Sequence, residues 1–164
     1  MRHIETEVTI RATPEQVWRV LVDFGRYAEW NPFVREASGE ASVGARLRVR
    51  IHPPEGRPMT FGPTVREASP ARELRWLGHL WLPGLFDGEH TFRIEAAGER
   101  PVRLRQSEVF RGLLVPLLPA VMYERTRRGF DAMNRARTPR TRPEARRRSG
   151  ISGWRGCSRR RVLP

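Results

Sequence analysis

Three residues that can bond a ligand or move a proton, His90, Gln106 and Glu108, fall in the apolar phase of two predicted strands. His90 shares its phase with Phe92, and Glu108 shares its phase with Phe110. Burying such a group without a partner costs about 1–3 kcal/mol, so its position needs an explanation. The three side chains could orient a ligand carbonyl or hydroxyl, and Glu108 with His90 could serve as a general base in a cyclisation or dehydration. The simpler interpretation is a half-solvated His–Glu pair near a sheet end.

The separation of His90 from Glu108 depends on how their two strands pair. A turn at 98–101 would make the strands antiparallel neighbours, with His90 either directly opposite Glu108 or diagonal to it. We predict the diagonal register, because it avoids placing Arg93 opposite Arg105 and sets glutamates against arginines instead. Both registers keep the His90 and Glu108 side chains within roughly 5–8 Å of each other.

Strands with one apolar face account for most of the chain. Residues 4–10 alternate as a first strand, and residues 33 to about 112 alternate as a succession of further strands, about seven in all. Turn-forming residues separate these strands at 39–44, 53–57, 69–72, 82–87 and 98–101. The pattern predicts an antiparallel meander with one side facing a core.

Two short helices are predicted directly after the first strand. Residues 13–16, Thr-Pro-Glu-Gln, combine an N-cap threonine, a first-turn proline and a capping-box glutamine, so a helix should begin at Pro14. One more short turn follows at 26–30. Asn31, placed before Pro32, is predicted to cap a turn that leads into the next strand.

A long helix is predicted to follow Pro119 and to run to about Arg137, with an apolar side that covers the sheet. Side chains that face the space between sheet and helix are candidates for a ligand pocket, although each of them could equally be an ordinary core residue. In the sheet these candidates are Leu47, Val49, Ile51, Met59, Phe61, Trp76, Leu80, Phe92 and Phe110, and in the helix they are Met122, Phe130 and Met133.

The segment 81–86 is apolar although it lies between two predicted strands, where a water-facing loop is normally polar. It could be a gate over the mouth of a pocket, with Leu85 and Phe86 against the ligand. It could instead pack on the C-terminal helix. The sequence favours neither interpretation.

The formal net charge of +13 is unevenly distributed along the chain. Residues 1–138 hold a net +5 and residues 139–164 a net +8, and the chain has no lysine. The second segment mixes Pro, Gly, Ser and Arg without periodicity, so we predict a folded domain over 1–138 and a disordered Arg-rich tail over 139–164. Such a tail could bind phosphates weakly, but specific nucleic-acid binding is not expected.

The amino-acid sequence gives little indication of a metal site, a disulfide bond or a membrane-spanning segment. Cys157 is the only cysteine, which excludes an internal disulfide, and no Cys/His cluster has metal-ligand spacing. His3, His52 and His79 are isolated, and they are terminal or outward by phase. We therefore expect no metal and no cofactor. No apolar stretch is long enough for a membrane span and no signal-peptide pattern is present, so a cytoplasmic protein is expected, with its oligomeric state open.

Several motifs resemble those of the START-like superfamily, also called SRPBCC. Residues 12–34, ATPEQVWRVLVDFGRYAEWNPFV, resemble its opening signature, in which a proline-started helix ending in Asp-Phe leads to Tyr-x-x-Trp-Asn-Pro. Similar stretches follow as VGARLRVRI at 43–51, RELRWLG at 72–78, LFDGEHTFRIE at 85–95 and MNRA near the end of the last helix. The resemblance covers about residues 2–137 and extends to the polyketide cyclase/dehydrase-like members.

The resemblance implies a helix-grip α+β fold, in which a curved antiparallel sheet wraps around a long C-terminal helix. It also implies a tunnel between sheet and helix that holds a lipid, a polyketide or a similar apolar molecule. Three functions then stay open. We favour binding of a hydrophobic or amphipathic small molecule, and the alternatives are a cyclase/dehydrase enzyme using Glu108 and His90, or a protein-interaction module similar to the superfamily's chaperone activators. A solid core without a cavity would favour the interaction module.

Overall fold

The computed structural model describes residues 1–96 and 100–137. Within them the chain forms eight strands, three α-helices and two short 3-10 turns. The strands are β1 (Arg2–Ile10), β2 (Val34–Ser38), β3 (Arg48–Ile51), β4 (Met59–Phe61), β5 (Thr64–Ser69), β6 (Glu73–His79), β7 (Asp87–Ala96) and β8 (Val102–Arg111). The helices are α1 (Pro14–Val22), α2 (Tyr27–Trp30) and α3 (Ala120–Arg137), with 3-10 turns at Phe24–Arg26 and Val115–Leu117.

The start of α1 is set by local sequence. Thr13 Oγ1 accepts a hydrogen bond from Gln16 N at 3.4 Å, and Thr13 N donates to Gln16 Oε1 at 2.9 Å. This reciprocal pair satisfies two backbone amides that a helix start otherwise leaves without partners. Val17 and Leu21, one turn apart, are fully buried, so the apolar side of α1 packs on the core. The predicted helix start at Pro14 is confirmed.

The strands form two antiparallel sheets. One sheet has five strands in the order β1-β8-β7-β6-β5, and the other has three in the order β2-β3-β4. Gly62 and Pro63 separate β4 from β5, and a proline cannot donate to a strand ladder, so the ladder is interrupted there. Leu47 N donates to Pro63 O at 2.8 Å, and a bridge joins Arg46 to Thr64, so the two sheets stay adjacent. The described residues thus hold one strand more than the predicted seven.

The long helix α3 covers the inner face of these sheets. Phe130 and Met133 are fully buried on it. The ring of Phe130 meets the ring of Phe33 edge-on, with centroids 5.6 Å apart. Gly129 permits this contact, because a Cβ at that position would lie 2.2 Å from the Phe33 ring. Curved antiparallel sheets around a long C-terminal helix, with short helices after the first strand, confirm the predicted helix-grip α+β fold.

The register between β7 and β8 differs from the prediction. His90 lies directly opposite Glu108, and Arg93 lies directly opposite Arg105. The diagonal register that the sequence favoured is therefore wrong. Direct pairing brings the His90 and Glu108 side chains closer together than the diagonal arrangement would.

The two facing arginines are each compensated by glutamates outside their own pair. The guanidinium of Arg93 contacts Glu73 of β6 at 2.9 Å. Arg105 contacts Glu5 of β1 at 3.5 Å and Glu95 of β7 at 3.7 Å. The prediction weighed only the two strands on their own, whereas the neighbouring strands β6 and β1 supply the carboxylates that make a like-charge pair acceptable.

Across residues 1–96 and 100–137, no helix is long and apolar enough to cross a membrane. The predicted tail at 139–164 and the domain boundary at 138 lie outside the described residues.

Candidate ligand-binding site

A cavity of about 120 Å³ lies between the two sheets and α3. Phe61 lines it from the three-stranded sheet, Trp76 and Phe110 from the five-stranded sheet, and Met122 and Phe130 from the helix. Its wall is mostly apolar and aromatic, which is the usual composition of a small-molecule site. An apolar cavity of roughly 150 Å³ holds a benzene molecule, so this space suits about one ring.

Most of the candidate pocket residues from the sequence line this cavity. These are Val49, Ile51, Met59, Phe61, Trp76, Leu80, Phe86, His90, Glu108, Phe110, Met122 and Phe130. Leu47, Leu85, Phe92, Gln106 and Met133 are not part of the wall. Phe92 and Gln106 face each other two residues beyond the His90–Glu108 pair, where Met133 of α3 lies against Gln106. The alternation of a strand predicts which side of the sheet a side chain faces. It does not predict the position along the strand at which the helix packs against the sheet.

Sequence reasoning did not identify some wall residues, namely Phe33, Val34, Thr60, Gly78, His79, Gly88 and Thr126. The sequence could have identified Thr126 as a wall residue, because it lies four residues from both Met122 and Phe130 and therefore on the same face of α3. Phe33 and Val34 are positioned by Asn31, whose Oδ1 accepts hydrogen bonds from both of their backbone amides at 3.0 and 2.9 Å.

His90 and Glu108 form the polar spot of the cavity. His90 Nδ1 lies 2.5 Å from Glu108 Oε2 across the strand pair. A carboxylate can only accept, so Nδ1 carries the proton and donates it. The other ring nitrogen, Nε2, lies 3.3 Å from the Gln106 amide nitrogen. In a neutral imidazole Nε2 accepts from that amide, so both ring nitrogens of His90 are engaged by the protein.

Gln106 is fully buried, and its position explains why it is not on the wall. Its amide nitrogen also points at the Met133 sulfur, 3.6 Å away. Its Oε1 accepts no hydrogen bond from the described residues. A half-turn of the amide would present Oε1 to a protonated His90, so Gln106 can partner the imidazole in either charge state.

Aromatic rings hold the plane of the His90 imidazole. The Trp76 ring stacks on it with centroids 5.0 Å apart and planes 11° apart. Phe92 lies at 4.5 Å and Phe130 meets it edge-on at 4.9 Å. Rings packed on several sides leave the imidazole little freedom to turn, so the position of the Glu108 carboxylate is also fixed.

Glu108 keeps one carboxylate oxygen available. The described residues donate to Oε2 through His90, but none of them donates to Oε1. Gly88 leaves the room for this oxygen, because a Cβ at Gly88 would lie 2.5 Å from Oε1. Since Glu108 lines the cavity, Oε1 is the polar atom of the dyad that a bound molecule can reach.

The mouth of the cavity carries a second His–carboxylate pair. His79 Nδ1 lies 2.7 Å from Asp87 Oδ1, and Gly84 N donates to the same carboxylate at 3.0–3.1 Å. The hydrogen bond from His79, followed by that from Gly84, holds the pKa of Asp87 below its usual value. The sequence-based description of His79 as isolated is therefore wrong. Strand phase alone could not show it, because its partner begins the next strand after a seven-residue loop.

The apolar loop at 81–86 is tied to the connection between β8 and α3. Leu113 N donates to Gly84 O, and Leu114 N donates to Leu85 O, each at 3.0 Å. Phe86 stacks on Phe110 with centroids 5.4 Å apart. The loop thus packs on the segment that precedes α3 and on β8, and its action as a gate stays a prediction.

No group of three or more potential metal ligands occurs in the part of the chain that the structure describes. The cavity wall contains neither arginine nor lysine. The wall is therefore mostly apolar, with Glu108 as the one acidic residue among the described residues that line it.

Solved structures share this architecture. A START superfamily protein from Mycobacterium smegmatis is similar with a TM-score of 0.68 at 18% identity, over 85% of this chain and 96% of that chain. A hypothetical protein from Helicobacter pylori gives a TM-score of 0.70 at 16% identity, over 86% of this chain and 88% of that one. The di-domain ARO/CYC BexL from the BE-7585A biosynthetic pathway gives 0.67 at 15% identity, over 87% of this chain and 48% of that one. These likenesses show that the chain shares the helix-grip fold of START-like proteins.

The family can be stated more narrowly. A family model described as polyketide cyclase/dehydrase and lipid transport matches residues 1–142, and the chain belongs to that family. No curated protein matches the sequence.

Proposed function

We propose that the protein binds an apolar small molecule bearing a hydrogen-bond donor, such as a hydroxyl, and that Glu108 orients it. The observation that carries this proposal is Glu108 Oε1, an acceptor that receives no hydrogen bond from the described residues and belongs to a side chain on the wall of an apolar cavity. A donor from the ligand would satisfy this oxygen, whereas a carboxylate on the ligand would bring a second acceptor and a like charge to it. The family's description, which includes lipid transport, supports an apolar ligand body.

The test uses three probes with one apolar body. Isothermal titration calorimetry compares 4-butylphenol, which brings a donor, with butylbenzene, which brings none, and with 4-butylbenzoate, which brings an anion. We expect 4-butylphenol to bind about tenfold or more tightly than butylbenzene, because hydrogen bonds to charged groups are worth about 1.5–3 kcal/mol. We expect 4-butylbenzoate to bind most weakly.

Glu108→Gln should remove this order of preference while keeping the fold, since a glutamine oxygen can still accept from His90. Glu89→Gln is the matched control, because Glu89 precedes His90 on β7 and points to the opposite face of the sheet. If all three probes bind equally to the wild type, the proposed role of Glu108 is wrong, but the proposal that the cavity binds an apolar molecule is retained. If none binds, the cavity is not a site for ligands of this size and the proposal fails entirely.

General-base catalysis of the cyclase/dehydrase type is a second candidate, and one observation favours it. Glu108 Oε1 can reach a bound carbon acid, while both nitrogens of His90 are occupied. In this arrangement Glu108 would be the base, taking a proton from carbon next to a carbonyl, and His90 would be a positioning residue. The histidine and the carboxylate thereby exchange the roles they have in a hydrolase triad.

This candidate is testable without knowledge of the natural substrate. In deuterated water, a base in the cavity would remove an α-proton of 1-indanone and return a deuteron, which NMR detects as loss of the α-proton signal. The candidate requires the wild type and Glu89→Gln to accelerate this exchange and Glu108→Gln not to do so. Exchange at the buffer rate with wild-type protein would leave binding as the function.

The protein-interaction module is the least supported of the three functions. A solid core without a cavity would have favoured an interaction module. The described residues instead enclose a cavity with an unsatisfied acceptor on its wall. The cavity therefore argues for a small-molecule ligand over a purely structural interior.

A further inference from the structure

Exposed apolar side chains surround the mouth of the cavity. The entrance rim consists of Leu80, Trp81, Leu82, Leu113, Leu117 and Val121, all of them exposed. Trp81 is 74% exposed and Leu117 is 78% exposed, although these are among the side chains that gain most from leaving water. A concentrated apolar patch of this kind usually marks an interaction surface.

The rim residues come from two segments that form one surface. Backbone hydrogen bonds tie the loop carrying Trp81 and Leu82 to Leu113, through Gly84. Gly112 allows the close approach, since it has a φ of +120° and a Cβ there would lie 2.4 Å from Leu85 O. Leu80 belongs to the cavity wall, and so does Met122 beside Val121, so the surface adjoins the opening itself.

Arginines without acidic partners flank the rim. Arg111 ends β8 just before Gly112, Arg2 lies opposite Phe110 on β1, and Arg125 follows Val121 by one helical turn. None of these three arginines is within ion-pair distance of a carboxylate in the described residues. The acidic side chains next to these arginines are already bonded elsewhere: Asp87, which lies opposite Arg111 on β7, bonds to His79, and Glu124, next to Arg125 on α3, bonds to Arg127. The surface is therefore apolar at its centre and positively charged at its edge.

We propose that the entrance rim docks on the surface of an anionic phospholipid bilayer, with the cavity mouth facing the membrane. Tryptophan and leucine side chains insert at the boundary between headgroups and acyl chains, and the arginines contact lipid phosphates. Such a surface binds by buried apolar area together with attraction to anionic lipid. Docking in this orientation lets an apolar ligand pass between bilayer and cavity without crossing water.

Vesicle co-sedimentation of the full chain tests the proposal. The wild type should bind phosphatidylcholine vesicles containing phosphatidylglycerol and bind pure phosphatidylcholine vesicles more weakly. The double variant Trp81→Ser/Leu82→Ser should reduce the partition coefficient about tenfold or more, because burying one large apolar side chain is worth roughly 1.5–3 kcal/mol. Val43→Ser is the matched control, since Val43 is 68% exposed but is neither a rim nor a wall residue.

The charged edge has a separate test. Arg111→Gln/Arg125→Gln should weaken binding to the anionic vesicles, and Arg66→Gln, at an exposed arginine on β5, should not. The control arginine matters because the chain has many other arginines that could bind anionic lipid without any contribution from the rim.

Two results would overturn the proposal. One is vesicle binding that the rim substitutions leave unchanged, which would assign the attraction to net charge alone. The other is sedimentation equilibrium showing a wild-type dimer that Trp81→Ser/Leu82→Ser makes monomeric, without a change in vesicle binding. That outcome would make the rim an interface between copies of the chain.

Discussion

The two ends of the interface between α3 and the sheets differ in how they are filled. At one end Met133 lies against Gln106, and Asn134 donates to Thr6 of β1 at 3.0 Å, with all four side chains buried. At the other end Met122, Thr126 and Phe130 border a cavity. The filled end holds the helix in place, so the open end can keep an apolar cavity without collapse.

The comparison separates residues that stabilise the fold from residues available to a ligand. Asn134 at the filled end donates its amide to a threonine hydroxyl, while Glu108 at the open end keeps an oxygen to which none of residues 1–96 and 100–137 donates. A fold needs the first kind of contact for stability. Gln106 at the filled end also has an oxygen without a partner among the described residues, but it is buried away from the cavity, whereas Glu108 lies on the cavity wall.

Met133→Ala and Met122→Ala should give the largest difference between the two ends. Met133 is fully buried among packed neighbours, so its truncation should cost about 2–5 kcal/mol. Met122 is half-buried on the cavity wall and has fewer packed neighbours to lose, so its truncation should cost less than half as much. Urea unfolding measures both, and equal losses would show that the cavity end is as tightly packed as the other.

Thr6→Val and Thr126→Val make the same comparison for hydroxyls. Thr6→Val removes the acceptor of the buried Asn134 amide and should cost about 1–2 kcal/mol. Thr126 donates to Met122 O, a carbonyl on the preceding helical turn, and its replacement should change stability by less than about 0.5 kcal/mol. The free energy of unfolding should therefore fall much more in Thr6→Val than in Thr126→Val. A larger loss in Thr126→Val would contradict the assignment of the two ends.

Gly88→Ala should separate stability from ligand preference. The added Cβ would lie 2.5 Å from Glu108 Oε1 and in ordinary contact with Phe110. Rotation of the carboxylate about its hydrogen bond to His90 relieves the close approach, so the cost in stability should stay below about 1 kcal/mol. Displacing the carboxylate should nevertheless remove the preference for 4-butylphenol over butylbenzene in calorimetry. A retained preference would mean that Oε1 is not the recognising atom.

Asp87→Asn should have the smallest effect, and it should depend on pH. Because its folded pKa is lowered, the Asp87 carboxylate stabilises the fold above its unfolded pKa, and this contribution disappears as the pH falls through the folded pKa. The free energy of unfolding of the wild type should exceed that of the variant by about 0.2–1 kcal/mol at neutral pH, and this difference should vanish in acid. Chemical denaturation across this pH range measures it, and a difference that grows toward acid would contradict the assigned direction.

Local signals predicted the elements well because their causes are local. The capping box at Thr13 and Gln16 contains both of its partners within one helical turn. Apolar alternation likewise identified most wall residues, since one buried face is enough to produce it. His79 was misjudged for the opposite reason, as its partner Asp87 lies beyond a loop.

The sequence by itself determined the order of strands and helices, the apolar inner face and the three polar residues on that face, because residue type and spacing carry those signals. The helix-grip arrangement of these elements was implied by the resemblance to the START-like superfamily. Only the tertiary structure decided that His90 pairs directly with Glu108, since the opposing Arg93 and Arg105 depend on carboxylates from β6 and β1. It also decided where α3 closes on the sheet, and hence that Gln106 is core while Glu108 faces the cavity. Contacts between distant segments of the chain determine where the helix closes on the sheet, and the periodicity of a single strand does not predict those contacts.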